Sequence, residues 1–196
     1  MASTALIFDL DGTLWDSRWF YAKAVSVVGG DFDRAMQDLA DGLSAARLLR
    51  EAGILPPKFI ELVISNKQDL RLYPSVRNAL NQLKRRPVPL GVVTSLPGWI
   101  ALPMLSATGL SELFSTVVDW GRCCSAKPSP RPILRALEDL NAGPGQNVWY
   151  IGDSTVDVQA ARAARVSFAW ASYGYGPEEL NDADRILKSF EDVLLL

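Results

Sequence analysis

The stretch that most constrains this chain is Leu6-Ile7-Phe8-Asp9-Leu10-Asp11-Gly12-Thr13-Leu14. A short apolar run bounded by turn residues reads as a buried strand, which puts Asp9 and Asp11 where that strand ends. In an open α/β sheet, ligands bind beyond the carboxyl ends of the strands. Two acids spaced i, i+2 at such a place repel each other unless a cation or a shared proton relieves the charge. The arrangement opposes folding and therefore points to function.

Similar apolar runs recur at Leu90-Gly91-Val92-Val93, Thr116-Val117-Val118, Val148-Trp149-Tyr150-Ile151 and Val166-Ser167-Phe168-Ala169-Trp170. Near-continuous apolar strands belong to parallel sheets covered on both faces. Helical spacing falls between them, over Ser75–Arg85, Pro97–Thr108, Arg131–Leu140 and Asp157–Ala164. Strands alternating with helices predict an α/β fold, a Rossmann-like doubly wound parallel sheet. Arg185-Ile186-Leu187 is expected as a last edge strand and Phe190–Leu195 as a terminal helix.

One interval breaks the rhythm. The crossover from the first strand to Leu90 needs only the helix Ser75–Arg85, which leaves Trp15 to Pro74 unexplained. An unpatterned loop of that length is rare in a compact domain. The interval reads as helices over Trp19–Val28, Asp33–Ala40, Ser44–Glu51 and Pro57–Leu72. The expected organisation is a core from 1–14 and 75–196, with a small α-helical cap inserted over 15–74.

Composition excludes several function classes. The chain has no histidine, which removes Ser-His and Cys-His catalysis and His-ligated zinc. Proton transfers must then fall to carboxylates, lysine or metal-bound water. Cys123 and Cys124 are adjacent, and neighbours rarely form an unstrained disulfide. Arg131 follows Cys124 at the wrong spacing for a phosphatase cysteine loop. Neither a G-x-x-x-x-G-K-[ST] loop nor a G-x-G-x-x-G fingerprint is present, and Gly174-Tyr175-Gly176-Pro177 does not continue into one. A net charge of -2 gives no reason to expect nucleic acid or an anionic membrane as partner. No apolar run approaches a membrane span, and Met1-Ala2-Ser3-Thr4 lacks the marks of a signal peptide. Cytoplasm is the expected location.

Polar residues also gather at the later strand ends. They are Thr94-Ser95, the acidic cluster Gly152-Asp153-Ser154-Thr155-Val156-Asp157, and Lys127-Pro128 ahead of the Arg131 helix. Each alone has a dull explanation: a turn residue, a helix N-cap or a solvated charge. Their joint occurrence at corresponding ends of consecutive elements is much harder to assign to chance.

With these residues in place the chain resembles the haloacid dehalogenase (HAD) superfamily of phosphohydrolases. Asp9-Leu10-Asp11-Gly12-Thr13-Leu14, Thr94, Lys127 and Gly152-Asp153 with Asp157 match its four motifs in order. Lys127-Pro128-Ser129-Pro130 and the inserted helices resemble the phosphoglycolate phosphatase-like branch with a helical C1 cap. The resemblance implies a Mg²⁺-dependent phosphatase acting on a small phosphorylated metabolite through an aspartyl-phosphate. It makes Asp9 the nucleophile and Asp11 the acid and base, with Thr94, Ser95 and Lys127 on the phosphate. It assigns the metal to the Asp9 carboxylate, the Asp11 carbonyl and the Asp153 carboxylate, with Asp157 acting through water or by holding Lys127. Asp11 separates phosphatases from the dehalogenases of the superfamily, whose halide leaving group needs no proton. A phosphomutase of the β-phosphoglucomutase type, a signalling receiver domain and a silent partner-binding relative remain alternatives.

Two positions depart from the family pattern. Ser95 stands where relatives commonly have Asn, and Arg165 where they often have Gly, so the helix before Arg165 is expected to end in a different shape. In the cap, Arg47 and Arg18 are candidates for substrate specificity, weighed against solvated surface arginines. Trp15, Trp19 and Phe20 are expected to be packing residues.

Overall fold

The computed structural model describes residues 5–145, 147–177 and 179–196; the Met1–Thr4 segment read for a signal peptide lies outside the described residues. The alternation of apolar runs and helices becomes a six-stranded, all-parallel sheet. Its strands are β1 (Ala5–Phe8), β4 (Leu90–Val93), β5 (Thr116–Val118), β6 (Val148–Gly152), β7 (Ser167–Ala171) and β8 (Arg185–Leu187). The spatial order is β5-β4-β1-β6-β7-β8. The acidic strand β1 thus lies centrally, with Leu6 opposite Leu90 on one side and Trp149 on the other. The chain winds outward from β1 in both directions, so its carboxyl end is the switch point at which open α/β sheets hold ligands.

All four residues of β1 are buried. Strand alternation sends Leu6 and Phe8 to one apolar cluster and Ala5 and Ile7 to another. On the first face lie α5 (Val76–Lys84), α6 (Gly98–Ala107) and a terminal 3₁₀ segment, Phe190–Leu195. On the second lie α8 (Arg131–Asp139) and α9 (Thr155–Ala164). Phe8 meets Phe114 and Phe190 at ring distances of 6.1 and 5.7 Å, which fixes the terminal segment under the sheet.

The interval after the acidic motif contains α1 (Arg18–Val27), α2 (Phe32–Ala40), α3 (Ala45–Glu51) and α4 (Pro56–Ser65). These helices share the first cluster. Phe59 of α4 packs edge-on against Phe20 at 6.0 Å and against Trp99 of α6 at 5.5 Å. No helix among the described residues is long and apolar enough to cross a membrane.

Several local expectations need correcting. The helix read over Pro57–Leu72 stops at Ser65, where the Asn66 side chain donates to the Leu62 carbonyl oxygen at 3.0 Å. A 3₁₀ turn at Lys67–Asp69 follows, and then β3 (Arg71–Leu72) pairs antiparallel with β2 (Trp15–Asp16). The helical interval is therefore entered and left through one two-stranded ribbon. The terminal helix keeps its expected bounds, Phe190–Leu195, and is a 3₁₀ helix; Ser189 and Asp192 form a capping box, and Phe190 and Val193 bury one edge. A short α7 (Trp120–Cys123) was not anticipated; it is capped by Asp119, which accepts from Gly121 N at 2.6 Å and Arg122 N at 3.2 Å. The helix before Arg165 does not change shape: Arg165 itself adopts the left-handed conformation, φ 58, in the place a glycine would favour.

Candidate active site

The parallel ladder extends one residue past β1, since Asp9 N donates to the Ile151 carbonyl oxygen at 2.8 Å. That bond fixes Asp9 at the sheet's crest, and the chain then folds back sharply. Leu14 N returns to the Leu10 carbonyl oxygen at 2.8 Å, and Gly12 takes φ 81. A Cβ at Gly12 would overlap the Asp153 carboxylate, so the motif glycine is required for this approach as well as for the turn.

The crest of β6 brings the second acidic cluster beside the first. Asp9 is 7% exposed, Asp153 3% and Asp157 0%, and single oxygens of the three lie within 4.8 Å of one another. Lys127, from the loop before α8, reaches between them. Its Nζ stands 2.7 Å from Asp9 Oδ1 and 2.6 Å from Asp157 Oδ1. Both oxygens of Asp157 are committed. Oδ1 also accepts from the Tyr150 hydroxyl at 3.1 Å, and Oδ2 accepts from the Ser154 N–H at 3.0 Å and from the Ser154 hydroxyl. Ser154 caps α9, with Asp157 completing the capping box from its first turn.

These contacts set the electrostatics. Burial pushes the Asp9 carboxyl well above the usual range, and Lys127 only partly offsets it. Burial, followed by the charge of Asp157, lifts Asp153 to about 7. Burial would lower the Lys127 pKa, but Asp157 and Asp9 outweigh it and keep the ammonium above its ordinary value. One buried cation thus faces three buried acids, an imbalance that a divalent cation would correct. The donors are hard oxygens, as an ion of the Mg²⁺ or Ca²⁺ type requires. Because Asp157 is saturated by hydrogen bonds, Asp9 and Asp153 are the carboxylates with oxygens to offer.

Asp11 points elsewhere. Its Oδ1 accepts from Trp15 Nε1 at 2.7 Å, and its Oδ2 from the Tyr21 hydroxyl at 3.2 Å. Its pKa is raised by burial, against the lowering effect of these donors. A neighbouring carboxylate is not the main cause. Trp15 is packed, at 1% exposure, yet its indole N–H also holds Asp11. A buried Trp four residues from an acid carries a donor that must be satisfied, and that signal was available in the sequence.

Thr94 directly follows β4, is 4% exposed, and accepts from Leu96 N at 3.1 Å through its hydroxyl oxygen. That bond leaves the hydroxyl proton to be donated. Thr94 and the exposed Ser95 line the same cavity as Asp9, Asp11, Lys127 and Asp153, about 320 Å³ in volume. Arg18, Leu39, Leu43, Ala45 and Ala46 supply an opposite wall from α1 to α3. Arg47 is not on that wall. It lies on the outer side of α3, 67% exposed at its side chain and paired with Glu51 at 2.8 Å. Tyr21, Tyr150 and Tyr175 were not singled out as site residues; Tyr21 and Tyr175 lie outside the motifs, whereas Tyr150 stands in the strand that leads into Gly152-Asp153.

An acidic crest at the switch point of a parallel sheet, with one buried lysine and a threonine in the same cavity, defines an α/β protein with a charged site at the ligand-binding edge of its sheet. The family model for haloacid dehalogenase-like hydrolases matches residues 6–171, and the chain belongs to that family. It is 30% identical to the phosphoglycolate phosphatase of Pectobacterium atrosepticum over 220 aligned positions, covering 100% of this chain and 92% of that protein. Its similarity to the phosphoglycolate phosphatase of Escherichia coli (strain K12) is 35% identity over 126 residues, 63% of this chain. That match spans 50% of the length of the E. coli protein. Among solved structures, a HAD phosphatase from Thermococcus onnurineus superposes with a TM-score of 0.78 at 25% identity, covering 97% of this chain and 95% of that one.

Proposed function

We propose that the chain is a Mg²⁺-dependent phosphatase that hydrolyses a small-metabolite phosphomonoester through an aspartyl-phosphate on Asp9. The observation that carries this reading is Lys127 held between Asp9 and Asp157, in one cavity with Thr94 and Asp153. The Asp9 and Asp153 carboxylates and the Asp11 carbonyl would hold the ion. When bound, Mg²⁺ supplies the positive charge that lets an anionic ester approach an anionic nucleophile.

The remaining work falls to side chains. Thr94 and Ser95 donate to non-bridging phosphate oxygens, and Lys127 faces them as a point charge. Asp157, fixed by Tyr150 and Ser154, holds Lys127 in place. An Asp9 oxygen attacks phosphorus and the bond to the leaving oxygen breaks. Asp11, whose raised pKa favours carrying a proton, gives that proton to the departing alkoxide. It then takes a proton from the water that attacks the aspartyl-phosphate, which releases inorganic phosphate and restores Asp9. Trp15 and Tyr21 orient Asp11 for both transfers.

In this reading residues 15–74 form the cap, and the β2–β3 ribbon is its hinge. Arg18 borders the leaving-group end of the cavity, whereas Arg47 takes no part. Phosphoglycolate is the first substrate to test, because the relatives named above carry that activity in their names. Phosphate release should be measured over a metabolite panel, with Mg²⁺ and with EDTA. Asp9→Asn should abolish turnover; activity that survives the substitution or metal removal would sink the mechanism. Transfer of the phosphoryl group to a sugar instead of water would favour the mutase alternative.

A further inference from the structure

The segment Gly174-Tyr175-Gly176 follows β7 and lies against the floor of the site. Tyr175 N donates to Asp153 Oδ2 at 3.2 Å. A Cβ at Gly174 would run into the Gly12 carbonyl oxygen and the Asp153 side chain, and one at Gly176 into the Asp153 carbonyl oxygen. Glycine on both sides is what lets the backbone lie flat on the acidic motifs. The tyrosine between them reaches across to the start of α1. Its hydroxyl is 3.2 Å from Ser17 Oγ, and the Arg18 guanidinium carbon stands over its ring, 4.1 Å from the centroid. Arg18 also gives Nε and Nη2 to Asp16, at 3.3 and 3.5 Å. Ser17, Arg18 and Tyr175 all line the cavity above Asp9.

We propose that Tyr175 is a positioning residue: anchored through its backbone on Asp153, it holds Arg18 as a fixed wall against which the leaving group of the ester binds. Two parts of the chain far apart in sequence then act as one unit. The planar guanidinium is oriented by ring stacking below and by Asp16 at its edge, which a lysine could not reproduce. The kinetic side of this inference rests on the phosphatase reading above. The contact with Asp153 is made by the main chain, so side-chain substitutions at Tyr175 spare it.

The test uses the full chain with Tyr175→Leu, Tyr175→Phe, Arg18→Gln, Arg18→Lys and the Tyr175→Leu/Arg18→Gln double variant. Kinetics are followed on the phosphomonoester that the wild type turns over best, and binding of inorganic phosphate with Mg²⁺ by calorimetry. Loss of one stacked contact predicts a KM rise of about 2- to 30-fold in Tyr175→Leu, Arg18→Gln and Arg18→Lys. The turnover number and phosphate affinity should move by less than about twofold. The double variant should match the worse single, and Tyr175→Phe, which keeps the ring, should show the smaller rise. General structural damage would move phosphate affinity as well, and an ordinary surface charge would let Arg18→Lys behave as wild type; either result overturns the proposal, as do additive effects in the double variant. If Tyr175→Leu does not fold, the Arg18→Lys and Tyr175→Phe results decide. A wild type inert toward every phosphomonoester defeats the phosphatase reading instead. Hydrogen exchange of α1 amides then judges the unit: Tyr175→Leu should accelerate it, and unchanged exchange overturns the inference.

Discussion

Lys127→Met removes the buried ammonium while keeping a side chain of similar length. The side chain is 4% exposed and makes two ion pairs, at 2.7 and 2.6 Å. Removing one partner of a buried pair costs about 3–5 kcal/mol, because it strands the remaining charge. Each kcal/mol is worth about 2–4 °C in a chain of this size, so the Tm should fall by about 6–20 °C. The loss must depend on pH. The folded pKa of Lys127 is raised, so its contribution is complete below the unfolded value of about 10.4 and fades as pH climbs through the folded value. The stranded Asp9 works the other way. Its folded pKa is also raised, so it does no harm below the unfolded value of about 3.9, where it is protonated in both states. It destabilises increasingly as pH rises toward its folded value. Thermal denaturation in EDTA should therefore show a smaller Tm gap at about pH 4, where only the Lys127 contribution is lost, than at about pH 8, where the Asp9 penalty adds to it. Mg²⁺ should narrow the gap at the higher pH by supplying the missing charge. A gap of the same size at both pH values, untouched by Mg²⁺, would refute this account of the site.

Other outcomes follow from the same geometry. Asp153, raised to about 7 by burial and by Asp157, weakens the metal-free fold as pH rises from about 3.9 through that value. A bound cation must displace its proton, so the Tm gain on adding Mg²⁺ should be larger at about pH 8 than at about pH 5.5; equal gains would contradict the assignment of Asp153 as ligand. Arg165→Gly should raise the Tm, because φ 58 costs a side-chain-bearing residue about 1–2 kcal/mol. The added unfolded-state freedom of glycine takes back only about 0.4–1 kcal/mol. Arg47→Ala should leave both KM and Tm indistinguishable from wild type, since both it and its partner Glu51 are exposed; a rise in KM would bring Arg47 back to the pocket wall.

The parts of the fold visible in the sequence were those governed by local pattern. β4, β5 and β8 have the bounds their runs predicted and β1 begins one residue earlier, at Ala5, because each run is short and flanked by turn or polar residues. The ribbon of β2 and β3 was hidden because Trp15 and Leu72 pair across the whole helical interval, and two-residue strands leave no periodic trace. Helix spacing running past Pro57 gave no sign that Asn66 would turn its side chain back on Leu62 and end α4. The acids, threonine and lysine of the site could be read from their places beside predicted strand ends. Tyr21 and Tyr175 could not, because their hydroxyls find partners only through tertiary packing.

The ribbon also bears on how the chain folds. Parallel pairing of β1 with β4 has to close a long intervening segment, which costs entropy and slows folding. Once Trp15–Asp16 lies beside Arg71–Leu72, the helices between them no longer count toward that loop, and β1 reaches β4 through α5 and two short connections. The length of the helical interval is thereby uncoupled from the assembly of the sheet. An insertion clasped at its base can grow, shrink or exchange its contents without slowing the step that brings Asp9 to its place on the crest.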